Sequence, residues 1–148
     1  MKKIAALTML VMLAGCTTMP NAKPNVTLQF RPGSYTPAPG LTEMTVVGSD
    51  QKVYLSQEVV LSNEDVKSAR VVLEPHGARI DLVFTKAGTE RFARVTENNL
   101  MKPIAILVDG QVFSAPIVRT KIRGGRAVIS GSFSEQEARR IADGITGK

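Results

Sequence analysis

The chain has no tryptophan, one cysteine, one histidine and two tyrosines among its 148 residues, and each scarcity removes a class of function. Single-stranded nucleic acid is commonly held on aromatic platforms, and too few aromatic side chains are present to build one. A zinc centre draws most of its three or four ligands from Cys and His. Here Cys16 and His76 are the only residues of their types, so carboxylates would have to supply nearly the whole set, and neither a metal nor a cofactor is expected. His76 follows Pro75 and reads as a turn residue. A lone cysteine also excludes an internal disulfide, so the stability of the chain must come from an apolar core. Catalytic signatures are equally sparse. No Gly-x-Ser-x-Gly is present, and Gly124-Gly125 lacks the Lys-Ser or Lys-Thr of a phosphate loop. Ser49 and Lys52 have the Ser-x-x-Lys spacing of penicillin-binding enzymes, but they fall in a hairpin turn rather than at a helix start. Asp65, Asp81 and Asp109 each have a local structural explanation: helix start, outward strand face and turn.

What is present begins at the N-terminus. Lys2 and Lys3 precede Ile4–Leu13, ten residues that are apolar except for Thr8. As a helix they would reach about 15 Å, half of the roughly 30 Å of a bilayer core, which suits the h-region of a signal peptide and not a membrane span. Leu13-Ala14-Gly15-Cys16 then resembles the bacterial lipobox. That resemblance implies cleavage before Cys16, diacylglycerol on its sulfur and acylation of the new amine, hence a membrane partner through a lipid anchor. The residue after the cysteine is Thr17 and not the aspartate that retains enterobacterial lipoproteins at the inner membrane, so the outer membrane is expected. With Lys2 and Lys3 set aside, 17 basic residues face 13 acidic ones, a modest excess.

Residues 17 to about 40 hold five of the eight prolines. The expected organisation is a signal peptide over residues 1–15, a lipidated, proline-containing tether over 16–25 and a folded domain over 26–148. Within the domain, Val26–Arg31 reads as a strand with Val26, Leu28 and Phe30 on one face, followed by a turn-rich stretch to Leu41. Met44–Val47 and Lys52–Leu55 flank Gly48-Ser49-Asp50-Gln51 as a hairpin. Ser62 is placed to cap a short helix, with Glu64 and Asp65 at its positive end. Ala69–Leu73 and Ala78–Phe84 are strands. Thr85 caps a helix to about Asn98 that turns Phe92 and Val95 inward. Pro103–Val108 is a nearly continuous apolar run, the mark of a central strand. Asp109-Gly110 supplies a turn, and Val112–Val118 returns, with Pro116 marking an edge or a bulge. Ala127–Ser130 is the last strand. Ser134 and Glu137 form a capping box for a helix bearing Ala138, Ile141, Ala142 and Ile145, ended by Gly144 or Gly147. The core is expected from Phe84, Phe92, Ile104, Ile106, Val108, Val128 and Ile141. Helices and strands mix without strict alternation, which predicts the α+β class: a two-layer sandwich of a mainly antiparallel sheet with helices on one face.

The run Phe84-x3-Gly88-x3-Phe92-x3-Thr96-x2-Asn99 leads into Ile104–Val108 and Asp109-Gly110. It continues as Val112, Ser114-Ala115-Pro116-Ile117, Ile122-x-Gly124-Gly125, Ile129-Ser130-Gly131-x-Phe133-Ser134 and Glu137-Ala138-x2-Ile141-Ala142. This resembles the head subdomain of the first periplasmic domain of SecD, the accessory subunit of the bacterial Sec translocase. Val59-Val60-Leu61-Ser62-x2-Asp65-Val66-x2-Ala69 fits the segment before it, so the resemblance spans roughly residues 58 to 145, with a weaker extension to Leu28. SecD also carries six transmembrane helices and a base subdomain and works with SecF on proton flow. Here the resemblance implies a free-standing head on a lipid leash, without a proton channel, that contacts polypeptide.

The remaining candidate is a basic loop. Arg119, Lys121, Arg123 and Arg126 cluster around Gly124-Gly125 and suit an anionic partner, although a solvated, aggregation-resistant edge would have the same composition. The function expected from all of this is that of an envelope lipoprotein facing the periplasm. Its non-catalytic module would bind polypeptide or an envelope protein partner, and not nucleic acid, and would assist export or folding. The alternative is a structural adaptor linking the membrane to another envelope component. A periplasmic hydrolase has the least support.

Overall fold

The structure, a computed structural model, describes residues 24–147, so the expected signal peptide, Cys16 and most of the expected tether lie outside the described residues. Strand β1 (Leu28–Ser34) buries Leu28 and Phe30 on one face, in line with the alternation. It runs three residues beyond the expected end at Arg31, through Pro32. That proline sits opposite the gap between two partner strands, where its carbonyl accepts the Ser56 N–H at 2.9 Å and no amide is needed. A hairpin of β2 (Thr42–Thr45) and β3 (Lys52–Leu55) forms with Thr45 opposite Lys52, but β2 lies two residues before the expected Met44–Val47, because Val46 and Val47 turn to Val112 instead. Strand β4 is short (Leu61–Ser62). The short helix expected after Ser62 is a single 3-10 turn, Asn63–Asp65, closed by the Asp65 carboxylate accepting the Ser62 N–H at 3.0 Å. Asp65 is buried there and paired with Arg91, a tie across 26 residues that its reading as a simple helix-start charge did not include.

Strands β5 (Val66–Glu74) and β6 (Gly77–Phe84) form a long hairpin with His76 in its exposed turn. Helix α1 (Lys86–Asn98) starts at Thr85, whose hydroxyl accepts the Gly88 N–H at 3.0 Å. Gly88 is buried against the Asp65 backbone, where a Cβ would collide. In β7 (Ile104–Val108) all five residues are buried, because both faces of this central strand are covered. Its partner β8 stops at Ser114 (Gln111–Ser114), shorter than the expected Val112–Val118. The pairing shifts register near Ile106, and beyond Pro116 a bridge between Pro103 and Ile117 and the backbone hydrogen bonds of Val118 continue it outside the strand. Strand β9 (Arg126–Phe133) is longer than expected. Helix α2 (Glu135–Thr146) is capped by Ser134, which accepts the Glu137 N–H at 3.2 Å, and ends on Gly147 at φ 68°. Gly144 lies inside the helix, packed against Val26.

The named strands pair antiparallel throughout, in two sheets: six strands in the path β2-β3-β1-β7-β8 with β4 beside β1, and three in the order β5-β6-β9. The α+β class with a mainly antiparallel sheet and two helices is what forms. The main core joins one face of the large sheet (Leu28, Phe30, Ile104, Ile106, Val108) to the small sheet (Ile80, Leu82, Phe84, Ile129) and to Phe92, Ile141 and Ile145 of the helices. A smaller core fills the opposite face with Val53, Leu55, Ala105, Leu107 and Val112. There the large sheet curls, and Val46 makes a parallel bridge to Val112. Val128, expected in the core, is 45% exposed, because its neighbours Ala127 and Ile129 take the inward positions and alternation turns Val128 outward.

Candidate functional site

Strands β8 and β9 end their respective sheets and face each other without pairing. Phe113 of β8 stacks on Phe133 of β9 with ring centroids 4.9 Å apart. Beside that contact lies an open groove of about 760 Å³. Buried Phe30, Phe92, Ile104 and Ile106 form its floor, β9 from Arg126 to Gly131 one wall, and the strap 114–122 the other. Val47, Ile117 and Val128 stand on its rim, 44%, 40% and 45% exposed. These large apolar side chains remain in water around an apolar hollow, the pattern of a surface that takes a partner.

The strap is held in place by its surroundings. Val118 exchanges backbone hydrogen bonds with the turn after α1, donating to Lys102 at 3.0 Å and accepting from Met101 at 2.7 Å. The Pro116 carbonyl accepts the Ile104 N–H at 3.1 Å. The Ile122 N–H donates at 2.9 Å to the hydroxyl of Thr96, which is fully buried in α1. Tyr35 adds a hydrogen bond from its hydroxyl to the Ala115 carbonyl. Finally, Lys121 Nζ pairs with Glu97 Oε2 at 2.7 Å.

The four expected cations lie in two places. Lys121 is tied to Glu97, and Arg123 lies on the same side; the Lys121 hydrogen bond first, then its charge, holds the Glu97 carboxyl below its ordinary range, and Arg123 adds a smaller pull. Arg119 and Arg126 border the groove instead, and no carboxylate of the described residues lies within 4 Å of either. Among the described residues they are the only charged ones lining it. A lowered carboxyl pKa means that the Glu97–Lys121 tie is complete above the normal carboxylate range and is lost only as pH falls through the lowered value. Glu97→Gln should therefore weaken amide protection at Ile122 at neutral pH, while the parent protein loses that protection only in acid. Hydrogen exchange corrected for intrinsic rates reads the difference, and equal protection at neutral pH would show that the tie does not hold the strap.

The other polar candidates take structural roles. Ser49 sits in the hairpin turn with its hydroxyl on the Val46 carbonyl at 3.3 Å, and Lys52 pairs with Glu43 at 2.7 Å. Asp81 binds Arg79 at 2.9 Å, and Asp109 accepts the Thr27 N–H at 2.9 Å. No group of three or more metal-ligating side chains occurs among the described residues. Among the described residues, no His, Asp or Glu lines the groove beside its hydroxyls. One of them, Ser114 Oγ, is buried without a hydrogen-bond partner. The apolar groove itself was not foreseen. Its signals were Pro116, which ends β8 early, and Val128, whose outward position followed from alternation with Ile129.

The model of the SecDF P1 head subdomain matches residues 40–146. SecDF of Thermus thermophilus is 42% identical over 84 residues, covering 56% of this chain and 11% of that protein. SecD of Syntrophobacter fumaroxidans is 35% identical over 96 residues, 64% of this chain and 18% of that protein. This chain therefore corresponds to less than a fifth of the length of either relative. Among solved structures, SecDF in its super-membrane-facing form superposes with a TM-score of 0.68 at 29% identity, over 84% of this chain and 19% of that one. A second, of SecDF as a membrane component that enhances protein export, gives 0.67 at 25% identity, over 93% of this chain and 72% of that one. The groove and its strap lie within the matched residues apart from the Phe30 and Tyr35 contributions, and the chain belongs to the SecDF P1 head subdomain family.

Proposed function

We propose that this domain is a non-catalytic polypeptide-binding module that assists protein export or folding, and that polypeptide sits in the groove between β8 and β9. The observation that carries this reading is the groove's composition: an apolar floor, exposed apolar rim residues, the unpaired edge of β9, and no His, Asp or Glu among the described residues that line it. The likeness to a SecDF described as enhancing protein export supports it. The test is a titration of the full-length protein, in detergent micelles, into a fluorescently labelled polypeptide kept unfolded by reduction and alkylation of its disulfides, with the native disulfide-bonded polypeptide as the folded competitor. Saturable binding that the folded form of the same polypeptide does not compete with is expected. Equal competition by the folded form would defeat the reading.

In the same proposal residues 1–15 are a signal peptide, 16–25 a tether lipidated on Cys16, and 26–148 the folded unit, facing the periplasm from the outer rather than the inner membrane. The lipobox-like Leu13–Cys16 and Thr17 support this placement. Cys16→Ser is expected to abolish incorporation of labelled palmitate and leave unprocessed precursor. Normal processing of that variant, or co-sedimentation of the parent protein with inner membrane on a sucrose gradient, would contradict one part or the other.

A further inference from the structure

The edge strands of this fold are not equally protected. Strand β5, the far edge of the small sheet, carries Lys67, Arg70 and Glu74 and packs against α2. At the end of β2, Val46 bridges to Val112, and the Val47 N–H donates to the Val112 carbonyl at 2.7 Å, so this contact partly closes the outer edge of β8 as well. Strand β9 has none of these devices. Its eight residues run Arg-Ala-Val-Ile-Ser-Gly-Ser-Phe, with no proline and a single charge at the start, and the edge away from β6 borders the groove. An unprotected strand edge is a template for another strand. Its backbone N–H and C=O groups can pair with an extended peptide while pockets beside it take alternate side chains. The charges beside this edge are of one sign: Arg119 and Arg126, neither paired with a carboxylate among the described residues.

We infer that the groove takes an extended polypeptide segment that adds as a strand to the free edge of β9, with apolar side chains at alternate positions and a carboxylate held by Arg119 and Arg126. The inference rests on the reading of the groove as a polypeptide site and specifies which polypeptides it selects. The stretch Arg126–Gly131, of which all but the buried Ile129 line the groove, spans roughly 20 Å at 3.3 Å per residue, so the segment is about six residues long. A carboxylate suits the pair because ionised partners of arginine form short, strong hydrogen bonds. A lysine at the same place would meet two like charges. The carboxylate can come from an Asp or Glu side chain or from a chain terminus.

The test uses the full-length protein in detergent micelles and fluorescence anisotropy of labelled hexapeptides that alternate valine with threonine. One carries a central glutamate and a C-terminal amide, one a central lysine and amide, and one a central glutamine and a free C-terminus. Two further versions of the glutamate peptide are N-methylated on one or the other alternate set of amides. The glutamate peptide should bind at least about tenfold tighter than the lysine peptide at low salt. That gap should narrow as salt screens the exposed arginines. The glutamine peptide shows whether a terminal carboxylate serves equally. One N-methylated version should lose about tenfold or more while the other binds nearly unchanged, because only one edge of the peptide faces β9. Arg119→Glu combined with Arg126→Glu should reverse the preference toward the lysine peptide. The N-methylation arm needs no variant of the protein. Equal binding of the glutamate and lysine peptides, or equal tolerance of the two methylation patterns, overturns the inference even where unfolded polypeptide still binds. Displacement of the labelled unfolded polypeptide by dodecanoate, with no binding of any hexapeptide, would mark a lipid site and overturn it as well. Loss of all polypeptide binding would remove the underlying reading too.

Discussion

Replacing Phe92 by alanine is expected to lower the unfolding free energy by about 3–5 kcal/mol. Phe92 projects from α1 into the main core and is 5% exposed. Its ring lies 4.9 Å from that of Phe84 and 6.0 Å from that of Phe30, both in tilted or edge-on arrangements. Such aromatic contacts add stabilisation beyond the area they bury. The helix cannot collapse into the space left behind, because the Thr96 hydroxyl holds the strap and Gly88 already touches the Asp65 backbone. Most of the cavity should therefore persist. Phe92 also forms part of the groove floor, so its loss should weaken polypeptide binding at temperatures where the variant is still folded. A urea titration of the parent protein and the variant measures the first effect, and a loss below about 1 kcal/mol would show that the three-ring cluster is not the centre of the core.

The second large effect concerns binding. Ile117→Asp together with Val128→Asp should reduce affinity for unfolded polypeptide by well over about tenfold and leave the melting temperature close to that of the parent. The two side chains stand on opposite rims of the groove and are 40% and 45% exposed, so neither contributes much to folding. Burying a side chain of this size against a ligand contributes about 1.5–3 kcal/mol, and a carboxylate in its place must be desolvated instead. The new acids would also occupy Arg119 and Arg126. Unchanged affinity at unchanged stability would place the binding surface elsewhere on the molecule.

The parts of the fold legible in the sequence were those set by local rules. The caps at Thr85 and Ser134 form, because a hydroxyl followed by free helical amides needs no tertiary partner to be recognised. The β2–β3 hairpin and the fully buried β7 follow from turn chemistry and apolar runs. Boundaries set by neighbours were less legible. Strand β1 continues through Pro32 only because two partner strands leave a gap there. Strand β8 ends at Ser114 because the chain leaves the sheet to form the strap. Asp65 gains its buried pairing with Arg91 from a helix 26 residues away. The basic loop was visible as four charges, but which of them face Glu97 and which face the groove depends on the path of the strap over α1. The groove was hidden for the same reason. It is made where the ends of two sheets meet, and sequence alternation within one strand says nothing of what lies beyond its edge.

Site-specific photocrosslinking during export tests the central claim most directly. A photoreactive amino acid is introduced singly at Ile117 and Val128 on the groove rim, and at Val59 and Leu73, which are 42% and 58% exposed and do not line it. Each protein is irradiated in intact envelopes while a radiolabelled secretory polypeptide is crossing. Adducts to the labelled polypeptide from positions 117 and 128, absent or many times weaker from 59 and 73, are the predicted result. Adducts of equal yield from all four positions, or from 59 and 73 alone, would contradict the assignment of the groove as the polypeptide site.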